Sequence, residues 1–240
     1  MFDNAIANLV GMVNHFHLKE DYNKSVCELG NQTFMNTPMQ RNIVGGQAKD
    51  TAHWFYMLGF TRYLAIDVNT RMNAEPMDLN FVLKDRYGFD EQFDMVTNNG
   101  TGEHIFNQAS VFENMHNLTK KGGWMLYVLP FQKHCDHGFY NFQPNLFAAL
   151  AEQNNYIVDR SIVANAMWTR DVKIPLTVER QTSLCNDINL WNDWDPKWDP
   201  EILIAMQKTD DAPFRIPFQG LYRKDIEDPD IQKSYKDIPN

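Results

Sequence analysis

The chain has 240 residues, 43% hydrophobic and 22% charged, with 12 Gly and 11 Pro; this is globular usage and excludes collagen-like, low-complexity and wholly disordered chains. Its 22 Lys and Arg against 31 Asp and Glu leave a net charge of −9, the reverse of what a protein that neutralises many phosphates carries. Nucleic acid and anionic membranes are therefore disfavoured as partners, and a small molecule or a protein is favoured.

A chain of this size buries roughly 70–75% of its unfolded surface without needing a metal or disulfide. One domain is the expected organisation, with two small domains as the alternative. Three cysteines, Cys27, Cys135 and Cys185, form no zinc or Cys-x-x-Cys spacing and read as reduced thiols of a cytoplasmic protein. No leader pattern opens the chain. The longest apolar run, Trp124 to Phe131, is far shorter than the ~20 residues that span a bilayer. Nothing in the sequence fixes an oligomeric state.

In chain order, Phe2, Ile6, Leu9, Val10, Val13 and Phe16 recur at helical spacing and predict an amphipathic helix within residues 1–21. Lys24 to Gly30 predicts a buried strand ending in glycine. A loop follows over 31–46, then a helix carrying Ala48, Ala52, Phe55 and Leu58 and closed by Gly59. Arg62 to Val68 is the second strand, Ala74 to Leu79 a short third, and Phe93 to Asn98 a fourth. The next helix bears Ile105, Ala109, Phe112 and Met115; Lys120 and Lys121 suit its C-terminal dipole, and Gly122-Gly123 end it. Trp124 to Leu129 is the fifth strand, Pro144 opens a helix that stops at Asn154-Asn155, and Ile157 to Ala166 and Ile202 to Met206 complete the strands.

This alternation predicts an α/β fold, a Rossmann-like, mostly parallel sheet with helices on both faces. Residues 1–222 form the single domain. Within it, 167–200 is a connection containing Trp191, Trp194 and Trp198, read as a packed loop or a lid; 223–240 is a polar C-terminal tail.

Open α/β sheets bind ligands at the carboxyl ends of their strands, where strand order reverses. The residues to inspect there are Glu28 to Gln32, Asp67, Asp78, Thr97 to Glu103, and Pro130 to His137. After Gly30 no second glycine occurs until Gly45, which argues against a dinucleotide pyrophosphate loop. A ligand lacking a pyrophosphate needs only the close approach that Gly30 permits, and a carboxylate at Asp67 suits the two hydroxyls of a ribose.

Glu-Leu-Gly-Asn-Gln after strand one, Ile-Asp-Val after strand two, Met-Asp-Leu-Asn after strand three and Phe-Asp-Met-Val-Thr-Asn on strand four together resemble class I S-adenosylmethionine-dependent methyltransferases. The closer likeness is to a bacterial and phage methyltransferase-domain group, through Gly100 to His104 (Gly-Thr-x-Glu-His) and His137 to Pro144 (His-Gly-Phe-Tyr-Asn-Phe-x-Pro). It covers about residues 22–166 and, more thinly, extends to 222. The resemblance implies a seven-stranded sheet, S-adenosyl-L-methionine as cofactor and S-adenosyl-L-homocysteine as product. It implies that Glu28 and Gly30 hold the methionine part, that Asp67 binds the ribose, that Asp78 and Leu79 sit by the adenine, and that Asn98 faces the sulfur. Gln32 and Val68, in the same loops, join the cofactor contacts.

Methyl transfer to an O–H or N–H nucleophile uses positioning and often a base. His104, Glu103 and His137 lie in loops on the expected substrate side, and His104 is the first choice as base, its unperturbed pKa suiting neutrality. His134 and Asp136 invite a metal reading with His104 and His137, but match no established ligand spacing; no metal is expected. Strand four carries Thr97-Asn-Asn-Gly100 rather than the Asn/Asp-Pro-Pro-Tyr/Phe of enzymes methylating exocyclic amines, and no Pro-Cys nucleophile occurs. The expected reaction is methylation of an oxygen or nitrogen of a small molecule, with a saccharide or sugar-linked metabolite as first choice. A nicotinamide-dependent oxidoreductase and a non-catalytic Rossmann-like binding domain are the alternatives.

Overall fold

The computed structural model describes residues 10–11, 24–33, 36–132, 134–165, 171–173, 200–219, 222 and 225–235. The expected N-terminal helix, apart from Val10 and Gly11, and the three tryptophans of the long connection lie outside the described residues.

Eight strands form one sheet in the order β3-β2-β1-β4-β5-β8-β6-β7. They are β1 (Ser25–Leu29), β2 (Arg62–Asp67), β3 (Glu75–Pro76), β4 (Phe93–Asn99), β5 (Thr119–Pro130), β6 (Ile157–Asn165), β7 (Asp171–Lys173) and β8 (Pro200–Gln207). Strands β1 to β5 pair in parallel, while β8 runs antiparallel between β5 and β6. The expected seven strands are all present, and the three-residue β7 adds an eighth at the edge, antiparallel to β6. Strand order turns back at the β1–β4 junction, which opens a crevice beyond the carboxyl ends of those strands.

Helices cover both faces. On one, α4 (Gln108–Leu118) and α5 (Pro144–Gln153) pack Val111, Phe112, Met115, Phe147 and Leu150 onto Cys27, Leu29, Val96, Met125 and Tyr127. On the other, Trp54 and Phe55 of α2 (Thr51–Met57) pack with Val26, Met95 and Leu126. Alternate residues of each strand thus serve opposite cores, as a period of two demands.

Several sequence expectations shift. The stretch 31–46, expected as a loop, contains α1 (Pro38–Val44). Thr37 and Gln40 form a reciprocal capping box, Pro38 opens the first turn and Gly45 closes the helix at φ 76°. The third strand shrinks to two residues, and α3 (Leu83–Tyr87) appears after it. Lys120 to Gly123 do not end a helix: α4 stops at Leu118 and those residues open β5. Lys120 Nζ instead meets Asp94 Oδ2 at 2.9 Å, and Asp94 also accepts the N–H and Oγ–H of Ser25; the β1, β4 and β5 ends are joined there. The tail holds a short helix, α6 (Pro229–Ser234), with no buried residue.

Candidate active site

Gly30 leaves β1 at φ +83°, a conformation in which side chains other than glycine are strained. Its N–H donates to Ile66 O at 2.8 Å, and a Cβ there would stand 2.0 Å from Thr101 Oγ1. Thr101 is held in place because its hydroxyl donates to Leu29 O at 2.8 Å and accepts from Gln32 Nε2 at 3.1 Å. The bend and the loop after β4 therefore touch directly.

Around this contact lies a cleft of about 450 Å³, within the range of small-ligand sites. Four stretches line it: Gly30 to Gln32; Ile66 to Val68; Met77 to Asn80; and Gly100, Thr101, His104 and Ile105. They sit at or just beyond the carboxyl ends of β1, β2, β3 and β4, so the cleft lies along the edge of the sheet that includes the β1–β4 switch point.

On the β2 wall, Asp67 Oδ2 accepts Asn31 N–H at 2.8 Å and Oδ1 accepts Asn69 Nδ2 at 2.7 Å. On the β3 wall, Asp78 Oδ1 accepts both the main-chain N–H and the side-chain amide of Asn80 at 2.9 Å. That wall is anchored from behind by α4: Ser110 Oγ donates to Leu79 O at 2.7 Å, and Asn114 bridges Leu83 N and Phe81 O at 2.9 Å each.

Of the residues singled out in the sequence, Gly30, Gln32, Asp67, Val68, Asp78, Leu79 and His104 line the cleft. Asn98, Glu28, Glu103 and His137 do not. Asn98 is fully buried beneath the loop, its Oδ1 accepting Gly102 N–H at 2.9 Å. Glu28 is buried on the α2 face, where Oε2 accepts Tyr63 O–H at 2.8 Å. Burial pushes its pKa up to about 8, partly opposed by the Tyr63 and Asn99 contacts. Thr101, inside the strand-four stretch Thr97 to Glu103, and Met77 and Asn80, inside the Met-Asp-Leu-Asn stretch, line the cleft although the sequence assigns them no contact, and Ile105 lines it from outside those stretches.

Glu103 and His137 come together with His104, the one of the three that lines the cleft. Glu103 Oε1 lies 3.2 Å from His137 Nε2 and 3.8 Å from His104 Nε2. The Glu103 side chain has no exposure, whereas the imidazoles are 46% and 42% exposed. Phe139 N–H joins the two segments by donating to Glu103 O at 2.8 Å, while His104 N–H closes the turn within the first by donating to Thr101 O at 3.0 Å. Gly138 packs so tightly that a Cβ there would be 2.9 Å from Glu103 Cγ. Desolvation raises the Glu103 pKa against the opposing pull of its own backbone N–H and both imidazoles. Beside them, Phe106 and Phe139 stand edge to face at 6.2 Å, 72% and 68% exposed.

No family model and no curated protein matches the chain. Among solved structures, it is similar to the 1,6-didemethyltoxoflavin-N1-methyltransferase of Burkholderia thailandensis, crystallised with S-adenosylhomocysteine: identity is 12%, coverage 86% of this chain and 79% of the other, and TM-score 0.49. It is similar also to an N-methyltransferase of Bradyrhizobium japonicum in complex with S-adenosylhomocysteine, at 10% identity, 85% and 87% coverage and TM-score 0.48. A SAM-dependent methyltransferase of Archaeoglobus fulgidus gives 11% identity, 84% and 94% coverage and TM-score 0.49.

Proposed function

We propose that the protein is a methyltransferase that binds S-adenosyl-L-methionine in the cleft and methylates an oxygen or nitrogen of a small molecule. The observation that carries this reading is the pairing of the Gly30 bend with the Asp67 carboxylate across one crevice, fixed by the Asn31 N–H bond. A carboxylate so held accepts two neighbouring hydroxyls with little reorganisation, since each oxygen has a lone pair left after its present bond.

The residues present fit an adenosyl ligand. Gly30 leaves the space a Cβ would take, and Asn31 keeps a buried Oδ1 with no hydrogen-bond partner among the described residues. Asp67 and Val68 would hold the ribose edge; Met77 and Leu79 would bound the base, with the Asp78–Asn80 turn supplying polar contacts. The single glycine of the first loop favours a ligand without a pyrophosphate. When bound, the cofactor supplies an activated methyl group on a sulfonium. The chain's own task is then positioning and exclusion of water, with His104 and His137 as the exposed groups that meet the acceptor and the buried Glu103 holding them. A saccharide or sugar-linked acceptor agrees with the exposed Phe106–Phe139 pair, on which the apolar face of a sugar ring can lie.

Calorimetry with S-adenosylhomocysteine and with NADH tests the reading, alongside mass spectrometry for a co-purified ligand. Saturable binding of the former alone is expected. Binding of NADH with no response to S-adenosylhomocysteine would overturn it.

A further inference from the structure

We propose that Glu103, His104 and His137 form a binding site for a divalent transition-metal ion at the acceptor end of the cleft. Each residue offers one ligand atom, and the three atoms lie within 4.8 Å of one another. Metal–ligand bonds of about 2.0–2.2 Å set neighbouring donors roughly 3–3.5 Å apart; the 3.2 Å from Glu103 Oε1 to His137 Nε2 falls in that range, and the 3.8 Å to His104 Nε2 closes to it with a small turn of the exposed His104 imidazole, which an ion would draw inward.

The second observation is the state of Glu103. Its side chain is wholly buried, and Oε2 has no hydrogen-bond partner among the described residues. No Lys or Arg makes an ion pair with it among them; the two imidazoles are its neighbours. A carboxylate buried this way needs a positive partner or a proton, and an ion held between it and the two imidazoles provides one. Two nitrogens and one oxygen suit the zinc, iron(II) and manganese class rather than calcium or magnesium.

By sequence, His104 with His134, Asp136 and His137 are the possible ligands and no metal is expected, whereas the ligand set proposed here draws Glu103 and His104 from the turn after β4 and His137 from the loop after β5. The bond from Phe139 N–H to Glu103 O closes the two loops on each other.

The site deepens the methyltransferase reading and rests on it. Three protein donors on one side leave positions open toward solvent beside the cleft, which His104 lines. An acceptor presenting one hydroxyl, or two on adjacent carbons, would coordinate there. Coordination stabilises the oxyanion: the O–H bond breaks, its proton passes to water and the electron pair stays on the metal-bound oxygen. The implied substrate class is a hydroxylated acceptor methylated on oxygen.

The full-length protein, stripped with chelator and dialysed, is titrated with Zn²⁺ and with Mn²⁺ by calorimetry. Uptake of one equivalent by the wild type is expected, with Glu103→Gln and His137→Ala each weakening affinity at least tenfold while His134→Ala leaves it within about twofold. Thermal melts confirm that each variant folds, and His137, at the surface, guards against a Glu103 variant that does not. No uptake, or uptake indifferent to Glu103→Gln and His137→Ala, overturns the site. S-adenosylhomocysteine binding measured on the same stripped sample separates the two claims. If it persists without metal uptake, only the metal site falls; if it too is absent, the methyltransferase reading falls with it.

Discussion

Asp67 at the end of β2 accepts the main-chain N–H of Asn31, the first residue past the Gly30 bend, at 2.8 Å. The carboxylate expected to bind a ribose is thereby part of the scaffold that shapes the loop opposite. Replacing Asp67 with Ala removes the charged acceptor and also frees Asn31. S-adenosylhomocysteine affinity is expected to fall by about 1–3 kcal/mol, the cost of losing charge-assisted hydrogen bonds. Calorimetry on the folded variant checks this, and an unchanged Kd would remove Asp67 from the binding site.

Gly30→Ala faces two obstacles. The φ of +83° disfavours any Cβ, at about 1–2 kcal/mol, and that Cβ would stand 2.0 Å from Thr101 Oγ1. Pairing it with Thr101→Ala removes the oxygen and leaves the backbone cost together with a 3.0 Å approach to the remaining Cβ of residue 101. In urea unfolding, Gly30→Ala is expected to be the least stable of the set, with the double variant recovering part of the loss. Additive effects of the two substitutions would show that the contact carries no energy.

The parallel strands and the cleft's landmarks were legible because each rests on local chemistry. Strand one ends at a glycine, strand two at an acid, and apolar runs between them mark buried strands. The helix Pro38–Val44 was lost to a count of turn-forming residues, although Thr37, Pro38, Gln40 and Gly45 spell its two ends. Lys120 to Gly123 misled for the opposite reason. Two lysines and two glycines imitate a helix terminus, but pairing with β4 and the Asp94 contact draws them into β5. The meeting of Glu103 with His137 had no local signal, since it depends on how two loops dock after the sheet has formed.

Asn114 tests whether the adenine side of the cleft is braced from α4. Its amide accepts Leu83 N–H and donates to Phe81 O at 2.9 Å each, across the start of α3. Asn114→Ala leaves a buried donor and acceptor unpaired, at about 1–3 kcal/mol apiece. Denaturant unfolding is expected to show a loss in that range, and S-adenosylhomocysteine affinity to drop at least severalfold as Met77 to Asn80 loosen. A destabilised variant that binds as tightly as the parent would separate the brace from the site.

Two buried titratable groups give the protein a pH dependence of opposite signs. Glu28 is raised to about 8 by burial, so between about 4.3, its ordinary value, and 8 the folded chain keeps a proton that the unfolded chain has released. That contribution is fully present below the lower value and is lost as pH rises through the upper one. His116 behaves in the other direction: burial, and then the Lys208 charge, lower it to about 4. Its imidazole sits between Tyr156 O–H at 2.7 Å and Ala212 O at 2.9 Å. Between about 6.5 and 4 the unfolded chain binds the extra proton, so the stabilisation present above 6.5 is lost as pH falls. Each slope is at most about 1.4 kcal/mol per pH unit. They oppose one another from about pH 4.5 to 6.5, where the two contributions nearly cancel; from 6.5 to 8 only Glu28 of this pair acts, and its contribution falls. Glu28→Gln removes that limb while keeping an acceptor for the Tyr63 hydroxyl. Urea unfolding of the ligand-free protein at pH 5.5, 6.5, 7.25 and 8 is expected to show the wild type losing stability relative to Glu28→Gln across the last three points. Curves that run parallel from 6.5 to 8 would mean that Glu28 is ionised throughout and that burial does not hold its proton.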